Sequence, residues 1–171
     1  MDRLKNLIDQ NRHLLPDYDY YLPIIDKAVK FEGSRPDTSI ECCNSLVQGI
    51  SKSIILKLDA TATRDELDGK TEGKTDRLLK RALLCLRQHG DVAEDNFVTR
   101  GASFALAIAT LRNARGDISH GKATPKQLAS DEDLAHAANS ITETILCYLL
   151  LSFLKVSDVL EEAEGDGFPE G

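Results

Sequence analysis

The chain has 171 residues, which is the size of one ordinary domain, and 42% of them are hydrophobic. Its formal net charge of −7 argues against tight non-specific binding to nucleic acid, because such binding needs many phosphate contacts. The acidic excess lies in residues 126–171, and residues 1–125 are nearly neutral. The Leu-rich, Ala-rich and Pro-poor composition favours helices with an aliphatic core.

Apolar residues recur with a helical period along almost the whole chain. Before the segment around residue 120, this period predicts helices over 2–14, 17–30, 38–58, 76–88 and 94–113. Pro23 predicts a break or restart in the second helix, and Thr38 is the expected cap of the third. Polar residues 59–75 predict a mobile loop. A last helical region opens at Pro125, starts afresh near Asp131 and runs to about residue 160.

No strand pattern or internal repeat is found, so the predicted fold is an all-α bundle of five or six helices. We expect three parts along the chain. Residues 1–37 form N-terminal helices packed on the bundle, and residues 38–160 form the main helical domain. Residues 161–171 are acidic and Gly-rich, and are predicted to be a disordered tail.

The four cysteines form no CxxC pair, and we interpret them as reduced core thiols of a cytoplasmic protein; they are Cys42, Cys43, Cys85 and Cys147. Their spacing predicts no zinc site, and we expect no metal and no cofactor. The most apolar run, residues 145–154, is too short to cross a bilayer, so no membrane association is expected. Because this run is apolar on nearly every side, one face is predicted to pack against a second copy of the chain.

Residues 111–122 concentrate more reactive side chains than any other segment. His120 has a side chain that can exchange protons near neutral pH. Arg112 or Arg115 could stabilise charge that develops on phosphate oxygens. Asn113 could orient the histidine or form a hydrogen bond to a phosphate, and Ser119 and Lys122 could add donors. In the alternative interpretation, the segment is a polar loop in which Arg112 pairs with a local acid and His120 is solvated.

The run Arg-Asn-x-x-Gly-Asp-x-x-His-Gly-Lys, which follows an apolar helix, resembles the HEPN ribonuclease superfamily, and more narrowly the abortive-infection C-terminal domain family. In those families an Arg and a polar residue precede a His by four to six residues. Here seven residues separate Arg112 from His120, and four separate Arg115 from His120, but Gly follows Arg115. A weaker match has Gln48 where the families have Glu, four residues before Lys52. The resemblance covers roughly residues 38–160.

Two further groups of side chains suggest contacts with RNA. One face of the helix after residue 73 could steer RNA toward His120; it carries Lys74, Arg77 and Arg81. The alternative is an ordinary solvated face. Three tyrosines near a helix start could stack on bases, or could instead fill a boundary layer of the core; they are Tyr18, Tyr20 and Tyr21.

The resemblance implies a HEPN-like fold and a homodimer whose two subunits form one site. We therefore predict a cytoplasmic, metal-independent endoribonuclease of a prokaryotic toxin or antiphage system, with RNA as substrate and an antitoxin or a larger defence complex as a further partner. His120 would be the acid–base group, Arg112 with Asn113 would stabilise the phosphorus-centred charge, and Arg115 is the second choice. The alternative is a non-catalytic helical module that binds RNA, a nucleotide or a protein. A helix-turn-helix DNA-binding protein is disfavoured, because no basic recognition helix follows a short Gly turn.

Overall fold

The computed structural model describes residues 1–90, 95–115 and 129–165, and within these ranges every regular element is helical. The elements are α1 (Asp2–Gln10), a 3-10 helix (Pro16–Tyr21), α2 (Leu22–Phe31), α3 (Pro36–Leu58), α4 (Arg64–Asp68), α5 (Thr75–His89), α6 (Asp95–Arg115) and α7 (Glu132–Gly165). The predicted all-α bundle is confirmed. The described residues form seven α-helices rather than five or six, and α4 lies in the segment predicted to be a mobile loop.

The additional helix α4 is short but is attached to the core. The Thr63 hydroxyl caps it by accepting a hydrogen bond from the backbone N–H of Glu66 at 3.3 Å. Leu67 is fully buried in the main core. One apolar residue and one cap therefore order a segment whose polar composition had predicted a loop.

Helix starts follow the prolines and the acidic residues of the sequence. Pro23 stands in the first turn of α2, which confirms the predicted restart there. The cap predicted at Thr38 is wrong, because α3 begins at Pro36, whose fixed φ suits a first helical turn, and Thr38 is buried inside that turn. Asp131 caps α7 as expected, since its Oδ1 accepts a hydrogen bond from Leu134 N at 2.8 Å.

The core forms around α3, which packs against α2, α5, α6 and α7. Its apolar residues recur every three or four positions, so that one broad stripe is buried; Leu46, Val47, Ile50 and Ile54 are fully buried. Leu4 and Ile8 of α1 belong to the same apolar cluster as these residues. Residues 1–37 therefore share one core with the rest of the described chain.

A second, smaller apolar cluster holds the C-terminal half of α6 in place. Ile108 packs there with Ile40 and Cys43 of α3 and with two alanines of α7, Ala135 and Ala138. The alanines are small, so the helices can approach closely at this point. The C-terminal half of α6 is thereby held against the first half of α3.

The interpretation of the cysteines as reduced core thiols is confirmed in that all four are buried and free. Burial raises the pKa of the Cys43 thiol to about 12. In the described part of the chain, no group of three or more His, Cys, Asp or Glu side chains is placed to hold a metal ion.

Helix α7 is longer at its end than the pattern predicted. It continues to Gly165, so residues 161–165 extend the helix, and residues 166–171 lie outside the described ranges. Its span Glu132–Ser157 is long and apolar enough to cross a membrane by length and composition, with a mean hydropathy of 1.4. In this structure 56% of that apolar window is buried inside the protein, and α7 packs on α1, α3, α5 and α6, as a core helix does.

Two glycines inside helices should respond oppositely to a single methyl group. A Cβ at Gly49 would lie 2.6 Å from Cε1 of the buried Tyr21, whereas a Cβ at Gly101 would meet only Leu83 Cδ1 at 3.6 Å. Gly101→Ala should raise the free energy of unfolding by about 0.5–1 kcal/mol through helix propensity. Gly49→Ala should lower it, because displacing the packed Tyr21 ring costs about 1–3 kcal/mol. Urea unfolding of both variants checks this, and equal stabilisation by both would contradict it.

Candidate functional site

The last turn of α6 carries three of the side chains that the sequence singled out. Arg112 is half-buried and Asn113 is exposed. Arg112 Nη1 donates a hydrogen bond to Asn113 Oδ1 at 2.9 Å, so the two side chains form one unit at the helix end. Cations in a last helical turn also interact favourably with the helix dipole, which is sufficient to explain why arginine is tolerated here.

Arg115 contacts the segment that precedes α7. Its Nη1 lies 3.5 Å from the carbonyl oxygen of Ala129 and from Ser130 Oγ, which is the outer limit for a hydrogen bond. The backbone N–H of Ser130 in turn donates to Oδ1 of the buried Asp37 at 3.1 Å. Arg115 therefore helps to join the end of α6 to the starts of α7 and α3.

Among the described residues, no carboxylate lies within ion-pair distance of Arg112, so the local acid of the alternative interpretation is not found there. The other predicted members of the motif lie outside the described ranges; they are His120, Ser119 and Lys122. The structure thus brings Arg112 and Asn113 together. Their relation to His120 stays a prediction.

The predicted basic face of α5 is largely paired with carboxylates. Arg81 forms ion pairs with Asp59 at 2.8 Å and with Glu66 at 2.7 Å, and Arg77 pairs with Glu72 at 3.0 Å. Lys74 is exposed at the N-cap of the helix. Hydrogen bonds from Thr61 and then from Arg81 lower the pKa of Asp59 to about 2. Arg81 consequently joins α5 to the ends of α3 and α4, and less free positive charge remains on this face than the sequence suggested.

The weaker motif, Gln48 with Lys52, lies in the second half of α3. Its side chains form a hydrogen bond and an ion pair with neighbouring elements. Gln48 Nε2 donates to Thr75 Oγ1 at 2.9 Å, and that hydroxyl donates to Asn44 Oδ1 at 2.8 Å. Lys52 Nζ pairs with Asp68 at 2.5 Å. Because the end of α6 packs on the first half of α3, the structure shows no contact between this motif and Arg112.

A polar network between α2, α3 and α7 was missed by sequence reasoning. Glu32 accepts a hydrogen bond from Asn139 Nδ2 at 2.5 Å, and its other oxygen pairs with His136 Nδ1 at 2.8 Å. Asn139 also bonds Ser39 Oγ, and Cys43 Sγ donates to its Oδ1 at 2.9 Å. Burial raises the pKa of Glu32, but the bonds from Asn139 and His136 outweigh burial and hold it below its usual value. The only sequence signal was the one-turn spacing of His136 and Asn139.

Two substitutions should show that the ion-paired Arg81 of α5 stabilises the fold and that the exposed Lys74 at its N-cap does not. Arg81→Gln should lower the urea midpoint at pH 6, because it removes both ion pairs, whereas Lys74→Gln should leave it nearly unchanged. The folded-state pKa of Asp59 is below its ordinary value, so its contribution to stability is present above about pH 4. The contribution is lost as the pH falls toward 2, and the difference between Arg81→Gln and the parent should shrink over that range. A constant difference from pH 6 to pH 2 would show that the ion pairs do not stabilise the fold.

Comparison with known protein families identifies the family of this chain. The sequence model of the family Abi_C, described as a HEPN-like domain, matches residues 23–153. No curated protein and no solved structure matches the chain. The matched segment includes α3, α5, α6 and most of α7, together with the arginines at the end of α6. Since it spans well over half of the sequence, the chain belongs to the HEPN-like domain family Abi_C.

Proposed function

We propose that this protein is a metal-independent endoribonuclease of a prokaryotic toxin or abortive-infection system. Membership in the HEPN-like family, by the match over residues 23–153, is the observation that carries the proposal. In this proposal the protein acts in the cytoplasm on RNA, and an antitoxin or a larger defence complex controls it.

The chemistry assigns one role to each group of the motif. The 2′-oxygen of a ribose attacks the adjacent phosphorus while His120 removes the hydroxyl proton. The bond from phosphorus to the 5′-oxygen breaks, the protonated His120 returns its proton to that oxygen, and a cyclic phosphate remains on the other fragment. Arg112 stabilises the negative charge on the phosphate oxygens, and Asn113 orients Arg112. The nucleophile belongs to the substrate, so the scheme requires no metal-bound water.

The position of Arg112 supports this role. Its neighbour Leu111 packs on the second apolar cluster, and Ile108 one turn earlier is buried in it. Apolar contacts thus hold the helix immediately before Arg112, and the hydrogen bond to Asn113 restricts the guanidinium. A donor held in this way spends little conformational entropy on binding a phosphate.

We also propose that two copies of the chain associate and that the site lies at their interface. Most of the apolar run 145–154 is buried inside one chain. It therefore offers less apolar surface for contact with a second copy than the sequence suggested. Exposed apolar side chains lie instead on α6, where Phe104 is 50% and Leu106 is 52% exposed. Phe104 lines an apolar groove of about 500 Å³ between α6 and α7. Arg112 follows two turns later, roughly 12 Å along the axis, so a partner bound here would approach it.

The catalytic assignment predicts a specific loss of RNA cleavage. With purified protein and total cellular RNA, His120→Ala should reduce the rate about 10²–10⁴-fold. Arg112→Ala should reduce it on the order of 10²–10³-fold, as for one transition-state donor. A chelator should have no effect.

The matched controls are His13→Ala and Arg3→Ala, whose side chains are exposed on the N-terminal segment and should retain parental activity. His120→Ala, Arg112→Ala and both controls should melt like the parent. Loss of activity with chelator, or full activity of His120→Ala, would refute the mechanism. An inactive Arg115→Ala beside an active Arg112→Ala would transfer the role to Arg115. No cleavage of any RNA by the parent would favour the non-catalytic binding module.

If two copies associate through this groove, the measured mass should depend on protein concentration. One charge placed in the groove should prevent the association. Light scattering at tens of micromolar protein, an order-of-magnitude choice from ordinary interface affinities, should give twice the chain mass for the parent. Phe104→Asp should shift it to one chain mass, because a buried unpaired carboxylate is costly. Val29→Asp is the control, since Val29 is comparably exposed on α2, away from the groove. A parent protein that remains monomeric at this concentration would contradict the proposed site at a dimer interface.

A further inference from the structure

A polar cleft of about 940 Å³ lies between the 3-10 helix, the second half of α3 and α4. Its volume is typical of a small-ligand site. The α3 wall of the cleft carries Lys52 and Lys57. These residues lie more than two helical turns after Ile40 and Cys43, the part of α3 that contacts α6. The cleft is therefore roughly 20 Å along α3 from the proposed catalytic end. It contains none of the residues assigned to cleavage.

The tyrosines of this cleft do not all fill the core. Tyr18 and Tyr21 are buried, which agrees with the boundary-layer interpretation, but Tyr20 is 72% exposed. The Tyr20 ring meets Tyr21 edge-on, with centroids 5.4 Å apart, and Tyr21 OH bonds Ser53 Oγ at 2.8 Å. An exposed ring supported by fixed aromatic neighbours is a suitable surface for stacking a base.

The same cleft carries two cations that form no ion pair with a carboxylate of the described residues. Lys57 and Arg64 are exposed, and no carboxylate of the described residues lies within ion-pair distance of either. Lys52 is already paired with Asp68. Asp17 is the other acid of the lining. The lining thus holds three cations against two acids, a net charge of +1, and this excess attracts an anion.

The buried tyrosines form the wall beneath the exposed ring. The Tyr18 hydroxyl is fully buried next to Ser53, so it supports this wall and is not open to the cleft. The cleft therefore combines an exposed aromatic surface with two cations that form no ion pair with a described carboxylate.

We propose that this cleft binds a nucleobase together with an adjacent phosphate, with the base stacked on Tyr20 and the phosphate held by Lys57 and Arg64. An inorganic anion would not use the aromatic ring, and an apolar ligand would not use the cations. The ligand is a free nucleotide or one residue of a single-stranded RNA, which present the same chemistry. In the second case the cleft is a contact for the proposed RNA substrate, remote from the bond that is cut.

Binding is measured by fluorescence anisotropy with a short single-stranded 2′-O-methyl RNA, which lacks the attacking hydroxyl. The result is thus independent of any cleavage activity. Tyr20→Ala should weaken binding at least about five-fold, as expected for loss of one stacked base, and Tyr20→Phe should retain it. The double substitution Lys57→Gln with Arg64→Gln should weaken binding and flatten its salt dependence. Asp68→Asn should strengthen binding, because it releases Lys52 to the ligand.

The charge-matched control is the double substitution Lys27→Gln with Lys30→Gln on the exposed face of α2. It should leave affinity unchanged. Competition with adenosine monophosphate distinguishes the two sources: displacement of the probe supports a free nucleotide, and displacement only by unlabelled oligonucleotide supports RNA. Parental affinity of Tyr20→Ala, equal weakening by the control pair, or equal competition by inorganic phosphate would overturn the proposal. Thermal melting of Tyr20→Ala verifies that the exposed substitution leaves the fold intact.

Discussion

The structure depends on the burial of α3 between four other helices. Fourteen of its 23 residues are buried, and several of these are polar. Buried polar groups must find partners, so they restrict how the neighbouring helices can pack. Ser39 can be satisfied only if α2 and α7 are in register, because it donates to Ala28 O and bonds Asn139. Asn44 similarly fixes the start of α5 through Thr75. An all-aliphatic α3 would bury as much surface but would allow the surrounding helices to slide.

The two halves of α3 support two different surfaces. The first half, through Ile40 and Cys43, supports the end of α6 and so the position of Arg112. The second half lines the tyrosine cleft with Lys52 and Lys57. A single rigid helix thus sets the separation of the proposed cleavage site and the proposed base-binding site. An RNA that occupies both would have to span a fixed distance, which would select for strands of sufficient length rather than for free nucleotides.

The sequence predicted those features that depend on local periodicity. Most helices, the restart at Pro23 and the Asp131 cap follow from neighbouring residues, and the position of Arg112 at the end of an apolar helix follows from the same period. The hydrogen bond between Arg112 and Asn113 was not predicted. Features that depend on distant residues could not be predicted. The partners of Glu32 lie about a hundred positions away on α7, and the acids that neutralise Arg81 lie in a polar segment that gave no apolar period. The helix α4 was missed because its stability comes from burying Leu67 rather than from its own five residues.

The close approach of Tyr21 to Gly49 has a consequence for how the cleft could diversify. Tyr21 supports the exposed ring of Tyr20, and Gly49 lines the same cleft. Because Gly49 has no Cβ, the Tyr21 ring can lie close to α3, and this position of the ring affects the width of the cleft. For the proposed base-binding cleft, a larger residue at position 49 would alter the shape of the opening without changing any charged group. The shape of a ligand that fits would then be set by a glycine rather than by the cations.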